Sequence, residues 1–271
     1  DMAYMTTRLA GEDTLFLPFN QGSGGPGAFG GKGNPLVGSD RHPTAYLWED
    51  VWQADAWIEL LDDFVFDEGE SAARSVVFPR YHQWHVVRTC SGHARVHGAG
   101  QNYLIQHSAG SGKTKEIAWL AHDLSTLHTA GGELLFDKVI VITDRRVLDA
   151  QLQRQVRAFA QTSTAVVEID EDSQQLLEAL TGTAAKVIIT TLQKFPFVLQ
   201  KIAGDEVAAD LKRHRYAVIV DEAHSSQTGQ AAIDLKAVVG SRSVEDLDLD
   251  PDELDGVPAE LLAQMAARGR Q

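Results

Sequence analysis

The chain has a single cysteine, Cys90, so no internal disulfide framework is possible. One thiol fits a reducing cytoplasm, and its expected role is that of an inert small hydrophobe. Long apolar runs are missing too. None is long enough to span a bilayer, and no secretory signal opens the chain, so no membrane partner is expected. Positive charge is scarce: 24 Lys and Arg against 38 Asp and Glu give a formal net charge of −14. That balance argues mildly against a nucleic-acid partner, because phosphate contacts need cations. It does not exclude one, since such a footprint is local. No His/Cys cluster has zinc-ligand spacing. The first residue is Asp1 rather than Met, which reads as a piece of a longer protein.

What is present is a core of ample size. With 271 residues, 44% of them hydrophobic, the length points to about one to two domains. The informative stretch is Gln106-His107-Ser108-Ala109-Gly110-Ser111-Gly112-Lys113-Thr114. A short apolar run, Tyr103-Leu104-Ile105, precedes it and reads as a strand. Apolar residues at Ile117, Leu120, Ala121, Leu124 and Leu127 follow at the spacing of one helical face. Strand, glycine-rich loop and helix are the context of a phosphate loop. Backbone N–H groups and the helix N-terminus favour an anion. Gly110 and Gly112 let the backbone close around it. Lys113 can reach the β- and γ-phosphates of ATP, and the Thr114 hydroxyl can ligate Mg2+. Ala109 and Ser111 complete the expected cradle. One position departs from the general pattern G-x-x-x-x-G-K-[ST]: His107 stands where the first glycine belongs.

Four short β-branched runs follow: Val139-Ile140-Val141-Ile142, Val166-Val167-Glu168-Ile169, Val187-Ile188-Ile189 and Ala217-Val218-Ile219-Val220. Near-continuous hydrophobicity suits strands covered on both faces. Helical patterns lie between them, for example Leu148, Leu152, Val156 and Phe159. The expected fold class is therefore α/β, a parallel sheet with helices on both faces and right-handed crossovers. Loops at the C-terminal strand ends should carry the chemistry. Asp221-Glu222-Ala223-His224 sits at such an end. Asp221 is a candidate Mg2+ ligand, and Glu222 can orient or deprotonate an attacking water.

The flanks read less sharply. Residues 1–20 read as an extended arm, and the glycine-rich residues 21–38 as a flexible loop or linker. From Thr44 to Phe66 the pattern is helical, with Leu47, Val51, Ile58, Leu61 and Val65 near one stripe. Trp48, Trp52 and Trp57 are expected to anchor that helix by packing. Residues 245–255 form a carboxylate-rich run, and residues 257–268 the start of a helix.

HSAGSGKT (residues 107–114) and DEAH (residues 221–224) resemble motifs I and II of superfamily 2 helicases and translocases. Five further strings resemble the motor (R) subunit of type I restriction-modification enzymes. They are MTTRLAGEDTLFLPFN (Met5–Asn20), PTAYLWEDVW (Pro43–Trp52), FPRYHQ (Phe78–Gln83), VITDRRVLDAQL (Val141–Leu152) and IITTLQKF (Ile188–Phe195). The resemblance implies a RecA-like first ATPase lobe over residues 76–240. An arm and linker, 1–75, would follow a nuclease domain lying upstream. The region 241–271 would lead to a second lobe downstream, which would supply the transition-state arginine. It implies ATP and Mg2+ as cofactors, double-stranded DNA as substrate, and methyltransferase and specificity subunits as partners. Gln83, with Arg80 nearby, resembles the adenine-reading glutamine motif. Thr143, Arg145, Thr191 and Lys194 resemble residues that face the DNA backbone in the family. Two alternatives stay open: a strand-separating helicase lobe acting on DNA or RNA, and a non-catalytic module that binds nucleotide to dock partners.

Overall fold

The computed structural model describes residues 2–36, 38, 40–68, 75–108, 110–143, 155–156, 166–169, 173–201, 211, 213–221, 235 and 238. The chain divides into two compact units, residues 1–123 and 124–271.

In the first unit the N-terminal segment folds as a ribbon. Strand β1 (Tyr4–Met5) pairs antiparallel with β2 (Leu17–Pro18), and Phe19 N–H donates to the Ala3 carbonyl at 3.0 Å. Phe19 is buried, its ring meeting the edges of Phe78 and Tyr81 at 5.8 and 5.6 Å. The Tyr46 hydroxyl donates to its carbonyl. The glycine-rich segment after it is a tied loop rather than a free linker. Gly22 N–H donates to Gly33 O and Ser23 N–H to Gly31 O. Gln21 N–H donates to the Asn34 side chain at 2.9 Å, and its amide donates to the Tyr81 hydroxyl at 3.0 Å.

The helical stretch differs from the expected stripe. Helix α1 (Ala54–Glu59) lies between single π-helical segments at Leu47–Val51 and Leu60–Phe64. Each i→i+5 turn shifts the phase of the side chains that follow. The buried set becomes Val51, Ala56, Leu60 and Phe64, while Ile58 and Leu61 are exposed. Trp48 and Trp52 are about half exposed and are not the anchors; the buried tryptophans are Trp84 and Trp119. Trp119 Nε1 donates to the Phe64 carbonyl at 3.1 Å. Strand β3 (Phe66–Glu68) then pairs antiparallel with β4 (Ser75–Val77), ahead of helix α2 (Tyr81–His97). Helix α3 (Lys113–Thr126) crosses the boundary between the units. Its expected apolar face, Ile117, Leu120, Ala121, Leu124 and Leu127, is buried throughout.

Tyr103-Leu104-Ile105 forms no strand. The run is three residues long between polar neighbours, and no described strand hydrogen-bonds to it. Leu104 is 84% exposed.

The second unit holds β5 (Lys138–Thr143), β6 (Val166–Glu168), α4 (Ser173–Thr181), β7 (Val187–Thr191), a 3-10 turn at Leu192–Lys194, α5 (Phe195–Lys201) and β8 (Tyr216–Val220). The four strands form one sheet in the order β6-β7-β5-β8, and every neighbouring pair is parallel. All six residues of β5 are buried, as a strand covered on both faces requires. Ile140, Ile142 and Ile188 pack with Leu176 and Leu180 of α4 and with Phe195 and Val198 of α5. On the other face Val139, Val141, Val187 and Ile189 are buried as completely. The sheet is α/β and consistent with a RecA-like fold. Of the helical pattern from Leu148 to Phe159 only Gln155 and Val156 are described, both helical and buried; its other residues, and everything expected of residues 241–271, lie outside the described residues.

Lys138 opens β5 and is 3% exposed. Its ammonium donates to the carbonyls of Ala179 at 2.9 Å, Gly182, and Ala185 at 3.1 Å. A cation thus meets the unpaired carbonyls at the end of α4. Lys138→Met leaves those carbonyls buried without a donor. We expect a loss of about 2 kcal/mol in urea denaturation; an unchanged midpoint would contradict the capping role.

Candidate nucleotide-binding site

The loop before α3 has the backbone its glycines permit. Gly110 and Gly112 take φ of 76° and 88°, a region L side chains rarely adopt. A Cβ on Gly112 would lie 2.5 Å from Gln83 Nε2. Ser111 N–H donates to the Ser108 carbonyl at 3.2 Å, and the Gly112 carbonyl accepts from Lys115 and Glu116 N–H at 3.1 and 3.3 Å. Gly112 therefore caps α3, and half-buried Lys113 and Thr114 are its first two residues. The buried Ser111 hydroxyl has no hydrogen-bond partner, a condition that calls for a reason such as a polar ligand. A helix N-terminus, two glycines at positive φ and an adjacent ammonium fit a phosphate group. Ala109 lies outside the described residues.

Gln83 does something its sequence resemblance did not convey. It is 4% exposed, and its amide donates to the carbonyls of Ser111 at 3.2 Å and Gly112 at 3.0 Å. Its oxygen accepts from Arg80 N–H at 2.8 Å. Both amide hydrogens and the carbonyl oxygen are thus engaged, so Gln83 caps α2 and holds the loop backbone. Arg80 stands exposed at the start of α2. Beside Gln83, His82 Nε2 donates to the Ser111 carbonyl at 3.1 Å. Burial pushes the His82 imidazole below its usual range, against the opposing effect of that carbonyl. His107 Nδ1 meets the Glu116 carboxylate at 2.9 Å. One potential ligand atom each from His82, His107 and Glu116 lies within 4.8 Å of the others. Spacing along the chain gave no hint of this trio, because its members come from three separate segments.

In the second unit the candidate residues gather at the C-terminal end of the sheet. Thr143 of β5 is the register partner of Thr191 of β7. Asp221 N–H donates to the Ile142 carbonyl at 2.9 Å, which sets Asp221 just past the end of β8. The hydroxyls of Thr143 and Thr190 and the Lys194 ammonium are buried without hydrogen-bond partners. Buried polar groups of this kind are met by water, an ion or a polar ligand. Arg145 and Glu222 lie outside the described residues.

Two other features of the first unit bear on chemistry. Cys90 is buried, and burial pushes its thiol up to about 11, so it is no nucleophile. A cavity of about 410 Å³ is lined by Glu59, Asp63, Arg88, Arg95 and Asp123 among others.

The chain thus has a parallel α/β sheet consistent with a RecA-like fold and, in its first unit, a Gly-Ser-Gly-Lys-Thr loop capping a helix, the pattern of phosphate-loop proteins. The SWI2/SNF2 ATPase family model matches residues 82–244, more than half of the chain. The chain belongs to the SWI2/SNF2 ATPase family and is a superfamily 2 helicase-like ATPase lobe. No curated protein matches it. Among the described residues no helix is long and apolar enough to cross a membrane.

Burial, with the nearby Asp123, Asp62 and Glu59, raises the Asp63 carboxyl from 3.8 to about 6. The native state therefore holds that proton more tightly than the unfolded chain. The resulting stability is complete below the unfolded value and is lost as pH rises through about 6. Asp63→Asn removes this dependence. Relative to the parent, the variant should melt higher at about pH 7 than at about pH 4; an equal difference at both would contradict it.

Proposed function

We propose that this chain is the first motor lobe of a type I restriction-modification R subunit, an ATPase that translocates double-stranded DNA. The observation that carries the proposal is the coincidence of a phosphate loop with five strings outside it. VITDRRVLDAQL, IITTLQKF, FPRYHQ, PTAYLWEDVW and MTTRLAGEDTLFLPFN resemble that subunit rather than superfamily 2 at large. DNA cleavage would belong to a nuclease domain elsewhere in the subunit, and site recognition to a separate specificity subunit.

The chain's residues divide the work as follows. The loop amides and Lys113 hold the nucleotide phosphates, while Gln83 keeps the loop closed from behind. Thr114 in the loop and Asp221 after β8 are each, by resemblance to the family motifs, candidate ligands of Mg2+, which would supply positive charge to the β- and γ-phosphates. Glu222 orients the attacking water and accepts its proton. Thr143, Thr191 and Lys194, at the C-terminal end of the sheet, and Arg145 are the candidates that the family resemblance assigns to the DNA backbone, although the Thr143 hydroxyl and the Lys194 ammonium are buried.

The test is triplex displacement by the R subunit carrying this chain, assembled with its methyltransferase and specificity subunits. ATP-dependent displacement without strand separation is the expected result. Lys113→Ala should abolish it together with ATP hydrolysis, a loss of at least about a thousandfold. Strand separation instead would favour a helicase lobe. Full ATPase activity after Glu222→Gln would favour a nucleotide-binding docking module.

A further inference from the structure

The phosphate-loop pattern leaves one residue unexplained: His107, which occupies the place of its first glycine. In the fold His107 is not isolated. Its Nδ1 lies 2.9 Å from a Glu116 carboxylate oxygen, and its ring meets the edge of His82 at a centroid distance of 4.9 Å. The three residues come from the first turn of α2, the loop and the first turn of α3. Glu116 is only 4% exposed. A carboxylate removed from water to that degree needs a cation or several donors. A simple His107–Glu116 ion pair would provide one. The second imidazole, His82, is turned edge-on to the first and has one ring nitrogen on the Ser111 carbonyl. Two imidazoles and a carboxylate brought together in this way are the His2Glu ligand trio that leaves a fourth position open on zinc.

We propose that His82, His107 and Glu116 form a binding site for a divalent transition-metal ion of the zinc type, at the base of the phosphate loop and separate from the Mg2+ that accompanies nucleotide. One ligand atom from each residue already lies within 4.8 Å of the others. Tetrahedral zinc brings such atoms to about 3.3 Å, a closure that side-chain rotation supplies. The oxygen and nitrogen donors favour zinc, copper or cobalt over magnesium, because imidazole is the softer ligand. A bound ion joins α2, the loop and α3 at one point. It therefore rigidifies the same loop whose carbonyls Gln83 holds.

The proposal does not depend on the nucleotide reading, so it is tested without nucleotide or Mg2+. Co2+ is titrated into the protein and followed by its visible absorption, then displaced with Zn2+ in a calorimeter. One Co2+ per chain with an intense four-coordinate band, displaced by Zn2+, is the expected result. His107→Asn and Glu116→Gln should each weaken Zn2+ binding more than about tenfold. Substitution of His93 and His97, stacked at 4.0 Å on the same α2 helix, should leave it unchanged. Should either ligand variant fail to fold, the cobalt-shifted imidazole N–H signals of the parent protein decide: two are required. Absence of a stoichiometric band, a single shifted imidazole signal, or loss of binding only in the His93 and His97 variant would overturn the proposal. None of these outcomes would touch the phosphate-loop assignment.

Discussion

One buried amide sets the geometry of the candidate site. Gln83 gives both of its hydrogens to carbonyls of the phosphate loop and uses its oxygen to cap its own helix. Each of these bonds contributes only about 1 kcal/mol. Their importance lies in what an alternative loop would leave behind, a glutamine amide buried without acceptors. The loop can therefore keep its two positive-φ glycines, and its carbonyls point toward α2. An anion-binding loop needs that orientation, because a carbonyl aimed at phosphate would repel it. Gly112 is bound into the same constraint: a side chain there would strike the amide that holds it.

The second unit obeys a different constraint. Its central strand β5 is buried on both faces, and its register places polar groups only at the two ends. At the N-terminal end Lys138 is satisfied by the carbonyls around the end of α4. At the C-terminal end Thr143 and its neighbour Thr190 are not satisfied. An apolar sheet interior thus confines the candidate polar residues to the strand ends, and Asp221 lies just past the C-terminal one.

The sheet was legible in the sequence because β-branched runs buried on both faces read as unbroken apolar strings. All four such strings became parallel strands. The loop was legible because glycine spacing is a backbone requirement. Where the reading failed, the missing information was not local. Tyr103 to Ile105 has strand-forming residues but no described partner to pair with. The helix from Thr44 to Phe66 was misphased because π turns break a fixed period, and they exposed Trp48 and Trp52. Gln83 and the trio of His82, His107 and Glu116 owe their roles to contacts 9 to 34 residues apart, which no spacing rule reports.

Hydrogen–deuterium exchange of the loop amides, with and without Mg-ADP, tests the central claim most directly. Slower exchange at Gly110 and at residues 112–114 is required when nucleotide binds, because those N–H groups then donate to phosphate, whereas Ser111, Lys115 and Glu116 N–H already donate to backbone carbonyls. Nucleotide that binds without protecting this loop, or that protects only a different segment, would contradict it.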